Sequence, residues 1–166
     1  MQPNPALELT PAKFLQRITI IHLALVAGQI LVAIVALVQT DKLVINVRYM
    51  NDPLLFVVPI AAMGGFIGSN VLYKKKISEI NRNTALKSKL TAYITVFIIR
   101  MAVLEGASLL GIVAFLVTGQ LLFLLISAAI IIYSVALRPT KQKVEDVLEM
   151  DFKEKMAFGQ GDRVLD

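Results

Sequence analysis

"IIRMAVLEGASLLGIV", residues 98–113, places Arg100 and Glu105 inside a run of otherwise apolar residues. The run continues in both directions, from Thr91 to Val117. At about 1.5 Å of rise per residue it is long enough to cross a hydrocarbon core about 30 Å thick. Two ionisable groups within a membrane-length helix each need a physical reason to be there.

The rest of the composition supports a membrane setting. Of 166 residues, 57% are hydrophobic, and the mean hydropathy is +0.71. A soluble domain of this size cannot hide that much apolar surface, so the surplus must face lipid. The chain has no cysteine, which excludes disulfides, thiolate metal sites and a cysteine nucleophile. It has one histidine, His22, and no HExxH, GxSxG or Gly-rich phosphate loop, so neither a catalytic residue, a metal site nor a cofactor site is expected. The net charge of +5 would suit a polyanion. The basic residues, however, sit beside apolar spans, where topology needs them, and nucleic acid is not an expected partner.

Four apolar stretches, about 18–38, 54–73, 91–117 and 121–137, predict an all-α integral membrane four-helix bundle of two antiparallel hairpins over residues 1–138. A tail follows over 139–166. The first stretch has about twice the apolar length of a signal-peptide core and no small-residue cleavage site after it, so it is expected to stay as an anchor. Lys13 and Arg17 precede the first span. Lys74, Lys75, Lys76, Arg82, Lys87 and Lys89 fill the middle loop, and Arg138, Lys141, Lys143, Lys153, Lys155 and Arg163 lie in the tail. Only Lys42 and Arg48 fall on the other side, which predicts that both termini are cytoplasmic.

Local signals refine this layout. Thr10-Pro11 reads as an N-cap and first helical residue. Asp52-Pro53 opens the second helix, which Pro59 would kink. Thr118-Gly119-Gln120 is a tight outer turn. In the tail, Val144, Val147, Leu148, Phe152 and Met156 fall near one face of a short cytoplasmic amphipathic helix. It would lie as a surface element on the cytoplasmic face or serve as a partner-binding helix. The closing "GQGDRVLD" reads as a frayed end.

Arg100 and Glu105 are about 140° apart around a helix and do not pair within it. Arg100 lies toward the cytoplasmic end, where a long side chain reaches the headgroups or finds a pairing group. The short stem of Glu105 reaches neither surface. A charge at the bilayer centre costs about 2.5 to 3.5 kcal/mol, so Glu105 should be protonated, paired or facing water. One reading is a protonated carboxyl making an interhelical hydrogen bond; the other is a proton- or ion-responsive group. Met101, Ser108 and Ile112 project beside Glu105. Ala107, Gly111, Ala114 and Thr118 form a small-residue stripe on nearly the opposite side. A matching surface exists in "AAMGGFIGSN", where Ala61, Gly65 and Ser69, and also Gly64 and Gly68, recur at four-residue spacing. His22, near the cytoplasmic end of the first span, is a secondary candidate: locally bonded, or a relay to Glu105 if the helices are adjacent with water between them. Asn70 is a similar interfacial polar group. Asp41, Asp52 and His22 do not converge on one membrane face, which disfavours a lipid-modifying enzyme.

Residues 61–116 resemble the helical hairpin of rotary ATPase proteolipid c subunits. The likeness lies in the glycine-bearing "MGGFIG", the polar loop "EINRNTALKSK" and the carboxylate within "AVLEGASLLGIVAFL". It implies that Glu105 would bind the transported proton or sodium ion. The chain differs from that pattern in Thr84, which stands where the family's loop has proline, in its sparser glycines and in Arg100. The whole layout is also similar to small bacterial four-helix inner-membrane proteins with a "LEGxxLxGIVAFLVTG" hairpin followed by "LRPTK". That second resemblance implies location and topology, with no assigned activity.

The sequence thus predicts a multi-pass protein of the bacterial inner membrane with no enzymatic activity. Its partners are the lipid bilayer and either further copies of itself or a larger membrane complex. It would pack through small-residue stripes, with Glu105 buried at mid-membrane. The alternative is a c-subunit-like element in which Glu105 exchanges or senses a proton or cation.

Overall fold

A computed structural model describes residues 9–41, 43–45 and 53–161. The expectations for Lys42, Arg48, Asp52 and Arg163, and for all but the start of the closing segment, lie outside these residues. Six helices and no strand form among them: α1 (Pro11–Gln39), α2 (Leu54–Ser78), α3 (Leu86–Thr118), α4 (Leu121–Ala136), α5 (Lys141–Val147) and α6 (Phe152–Gly159). α1, α2 and α3 are each long and apolar enough to cross a membrane. α4 has 16 residues and meets the same test only together with α5, from which it bends by 85°.

The helix ends follow local chemistry. Thr10 Oγ1 accepts from the Lys13 amide, and Pro11 occupies the first turn, where its missing N–H costs nothing. The Ala12 amide donates to the carbonyl of Gly161, two residues past the end of the helix over Phe152–Gly159, at 3.0 Å, which satisfies a second free donor of α1. α3 stops at Gly119, whose φ of 70° is left-handed and whose amide donates to the Phe115 carbonyl. Val44 then pairs with this turn through two backbone hydrogen bonds, to the Gly119 carbonyl and from the Leu121 amide, tying the α1–α2 connection to the α3–α4 turn. Lys75 and Lys76 in the last turn of α2 suit the helix dipole, and the Lys76 ammonium holds the Glu79 carboxyl below its ordinary range.

α3 is the central helix, packed against α1, α2 and α4. Contacts give the directions. Phe14 meets Tyr93, His22 meets Phe97 and Gln29 meets Ser108, so α1 runs parallel to α3. Asn70 meets Arg100 and Gly65 meets Ala107, so α2 runs antiparallel to α3. Ser127 meets Ser108 and Tyr133 meets Arg100, which makes α4 antiparallel as well. The outward faces are apolar: Leu31, Val38, Phe56, Ile60, Met63, Val71, Leu125 and Ile132 are all exposed. That surface exceeds what a protein presents to water and suits lipid.

The starts of α1 and α3 and the end of α2 gather at one end, where α5 and α6 cover them. Phe158 packs edge-on against Phe14, with ring centroids 5.9 Å apart, and Val144, Leu148 and Met150 are buried in the same cluster. The single tail helix expected from the sequence is instead two helices. Glu149, at a φ of 46°, breaks the first, and Asp151 opens the second through a capping box with Glu154. The register shifts at the break, so Phe152 and Met156, expected on one apolar face with Val144 and Leu148, are exposed, and Phe158 takes the core position.

Candidate functional site

Glu105 lies on α3, half-buried, with Leu104 and Ser108 fully buried beside it. Among the described residues no side chain hydrogen-bonds or ion-pairs with it. One turn away, three helices share a polar chain. Ser108 Oγ donates to Gln29 Oε1 at 2.7 Å, joining α3 to α1. Ser127 Oγ bonds to the Ser108 carbonyl at 2.9 Å and the Phe123 carbonyl at 3.0 Å, joining α4 to α3. Gln29, Ser108 and Ser127 are all 0% exposed. In lipid or a dry core such groups must satisfy one another, and each bond between helices contributes about 0.6 to 2 kcal/mol.

Arg100 forms a second polar centre nearer the Lys74 end of α2. Its Nη2 donates to Asn70 Oδ1 at 2.7 Å and to the Tyr133 hydroxyl at 3.1 Å. Tyr133 in turn donates to Asn70 Oδ1 at 3.0 Å, closing a triangle across α2, α3 and α4. The guanidinium carbon stands 4.3 Å above the Tyr73 ring centroid. Asn70 is held in place by its own Nδ2, which donates to the Phe66 carbonyl.

His22 is buried, beside the Phe97 ring and the backbone of Val135, and its Nδ1 has no hydrogen-bond partner. It sits level with Phe97, two turns of α3 before Glu105, roughly 12 Å along the axis. The structure does not bring the two together. Nor does it gather three or more acidic or histidine side chains into a metal-binding group among the described residues.

The small residues divide by face. A Cβ placed on Gly65 would come within 2.5 Å of the Ala107 Cβ, so α2 and α3 touch backbone to side chain there. Gly111 is pressed against Ser127 and Phe123 of α4. Ala114 and Ser69 are buried, and Ala61 is partly buried. Gly64 and Gly68 have nothing within 4 Å of a Cβ position and face outward.

Gln29, Ser127, Tyr73 and Tyr133 were not singled out by sequence. Gln29 carried a usable signal, being an amide within an apolar span at helical spacing from His22 and Val26, all three buried. The tyrosines carried none, because interfacial tyrosines are common in membrane helices. Comparison with protein-family models, curated proteins and solved structures returned no match to this chain.

Proposed function

We propose that the chain is a four-span protein of the bacterial inner membrane, with both termini cytoplasmic, that acts as a non-enzymatic subunit in a homo-oligomer or larger membrane complex. Glu105 takes its partner from outside the chain. The observation that carries this reading is the contrast around α3: Arg100, Ser108, Gln29 and Asn70 all have internal partners, whereas half-buried Glu105 has none among the described residues.

The alternating helix directions support four crossings. α4 starts at the far end of α3 and leads into α5 and α6, which pack on Phe14 at the near end. At about 24 Å, α4 is short for a span, and local thinning or snorkelling of Arg138 accommodates this. The clustering of Lys and Arg at the near end supports a cytoplasmic assignment for it. Gly64 and Gly68, where an added Cβ would meet nothing within 4 Å among the described residues, are available for contact between copies.

A second reading, exchange of a proton or cation at Glu105, is favoured by one feature: the buried Gln29–Ser108–Ser127 chain places polar oxygens one helical turn from the carboxyl. Carbodiimide labelling combined with oligomer sizing tests both. An inert Glu105, with Glu105→Gln leaving a small oligomer intact, supports packing. A reactive Glu105 protected by sodium or high pH, in a closed ring of many copies, supports exchange and overturns the packing reading.

A further inference from the structure

Arg100 is well placed but not neutralised. Asn70, Tyr133 and Tyr73 are its partners, and all are uncharged. No carboxylate among the described residues forms an ion pair with it, and its Nε is buried without an acceptor. A guanidinium held in this way inside a membrane-length helix carries a desolvation cost that an anion would offset.

Tyr133 also belongs to a groove of about 500 Å³ between α2 and α4. Met63, Phe66 and Ile67 line one wall, with Ile126, Ala129 and Tyr133 on the other, and the Tyr133 hydroxyl bonds Arg100 and Asn70. Asn70 lies one turn before Lys74, and Tyr133 one turn before Leu137, where α4 stops. The Arg100 head is therefore roughly 6 Å from the level of Lys74, where the apolar stretch of α2 gives way to lysines, and from the end of α4, the depth at which phosphate and glycerol meet acyl chains. Lys74 stands one turn nearer the water.

We propose that this groove, together with Arg100, which Tyr133 joins to it, binds an anionic phospholipid. One acyl chain lies along Met63, Phe66 and Ala129. The phosphate accepts hydrogen bonds from the free guanidinium donors, with Lys74 beside it. A planar guanidinium fork matches phosphate oxygens in geometry and charge. A helix from a second copy would fill the groove but leave Arg100 unneutralised. A neighbour's Glu105 does not serve either, because the contact with Tyr73 draws the guanidinium toward the helix end and away from the Glu105 level.

The inference rests on the membrane placement proposed above. Its test is native mass spectrometry of the full chain, released from mixed micelles of phosphatidylglycerol and phosphatidylcholine with identical acyl chains. We expect at least one tightly retained phosphatidylglycerol, favoured about five- to tenfold over phosphatidylcholine. Arg100→Gln, which keeps an amide for Asn70, should abolish the preference. Ala129→Trp, which fills the groove from its exposed wall and leaves Arg100 intact, should lower occupancy of both lipids. Equal retention of the two lipids, an unchanged preference in Arg100→Gln, or an unchanged occupancy in Ala129→Trp overturns the proposal. So does binding of glycerol phosphate alone with the same affinity, or loss of oligomer in place of lipid in Ala129→Trp. A chain that stays soluble without detergent defeats the membrane reading and this one together, whereas an embedded chain without lipid preference defeats this one alone.

Discussion

Individual polar side chains fix how the four long helices meet. Gln29 reaches Ser108 across α1 and α3, and the alternative for either group is an unsatisfied dipole in an apolar interior. Gln29→Leu, which removes both the acceptor and the internal bond to Leu25, should lower stability by about 1 to 2 kcal/mol. Ser127→Ala should cost less, about 0.5 kcal/mol, since the Ser108 and Phe123 carbonyls keep their helical partners. Reversible unfolding in mixed micelles, following helix content, measures both. Equal losses for the two variants would show that the chain works as a cooperative network and not as separate bonds. Glu105 differs in kind, because no side chain among the described residues hydrogen-bonds or ion-pairs with it.

At the scale of elements, close approach of backbones sets the α2–α3 contact. Gly65→Ala forces a methyl into Ala107 and should destabilise by about 1 to 3 kcal/mol despite the better helix propensity of alanine. Gly64→Ala meets open space and should be neutral or stabilise by up to about 1 kcal/mol in the same unfolding measurement. If Gly64→Ala instead disrupts an oligomer while leaving the monomer fold intact, Gly64 lies at the contact between copies. The tail is joined to the long helices by Lys89, whose side chain is 5% exposed and bonds Glu154 at 2.6 Å. Lys89→Met alone strands a mostly buried carboxylate and should cost about 3 kcal/mol. The double change Lys89→Met with Glu154→Leu should recover most of that loss. A double variant no better than the single one would mean that Lys89 acts through packing and not through charge.

Sequence and structure agree where one residue type dictates one conformation, and part where the outcome depends on neighbours brought from afar. Thr10-Pro11 and Gly119 mark helix ends in both, because a capping hydroxyl, a missing N–H and a left-handed φ are local matters. The apolar runs likewise mark α1, α2 and α3 as long enough for a membrane, whereas the fourth run forms a helix that reaches that length only together with α5. The break at Glu149 was not legible, since a non-glycine residue in left-handed conformation has no strong local signal, and burial of Leu148 and Met150 on either side stabilises it. The triangle of Arg100, Asn70 and Tyr133 spans three helices, and no spacing within one helix reveals it. Lys89 read as one more loop cation, although it lies inside α3 and is paired with the tail.

On the scale of the whole molecule, α5 and α6 close one end by packing on Phe14 and Lys89, which fixes the tail to the side where α1 and α3 begin. Both ends of the described chain therefore lie at the same end of the helix bundle, the arrangement that an even number of crossings would require. The absence of native cysteine makes this directly testable, because every introduced thiol is the only one in the chain. The decisive measurement is labelling of Leu43→Cys, Thr84→Cys and Phe152→Cys by a membrane-impermeant maleimide in intact cells and again after permeabilisation. All three sites are exposed on the folded chain. The four-span arrangement predicts that Leu43→Cys reacts in intact cells, whereas Thr84→Cys and Phe152→Cys react only once the membrane is opened. Labelling of Phe152→Cys in intact cells, or identical behaviour of Leu43→Cys and Thr84→Cys, would contradict it.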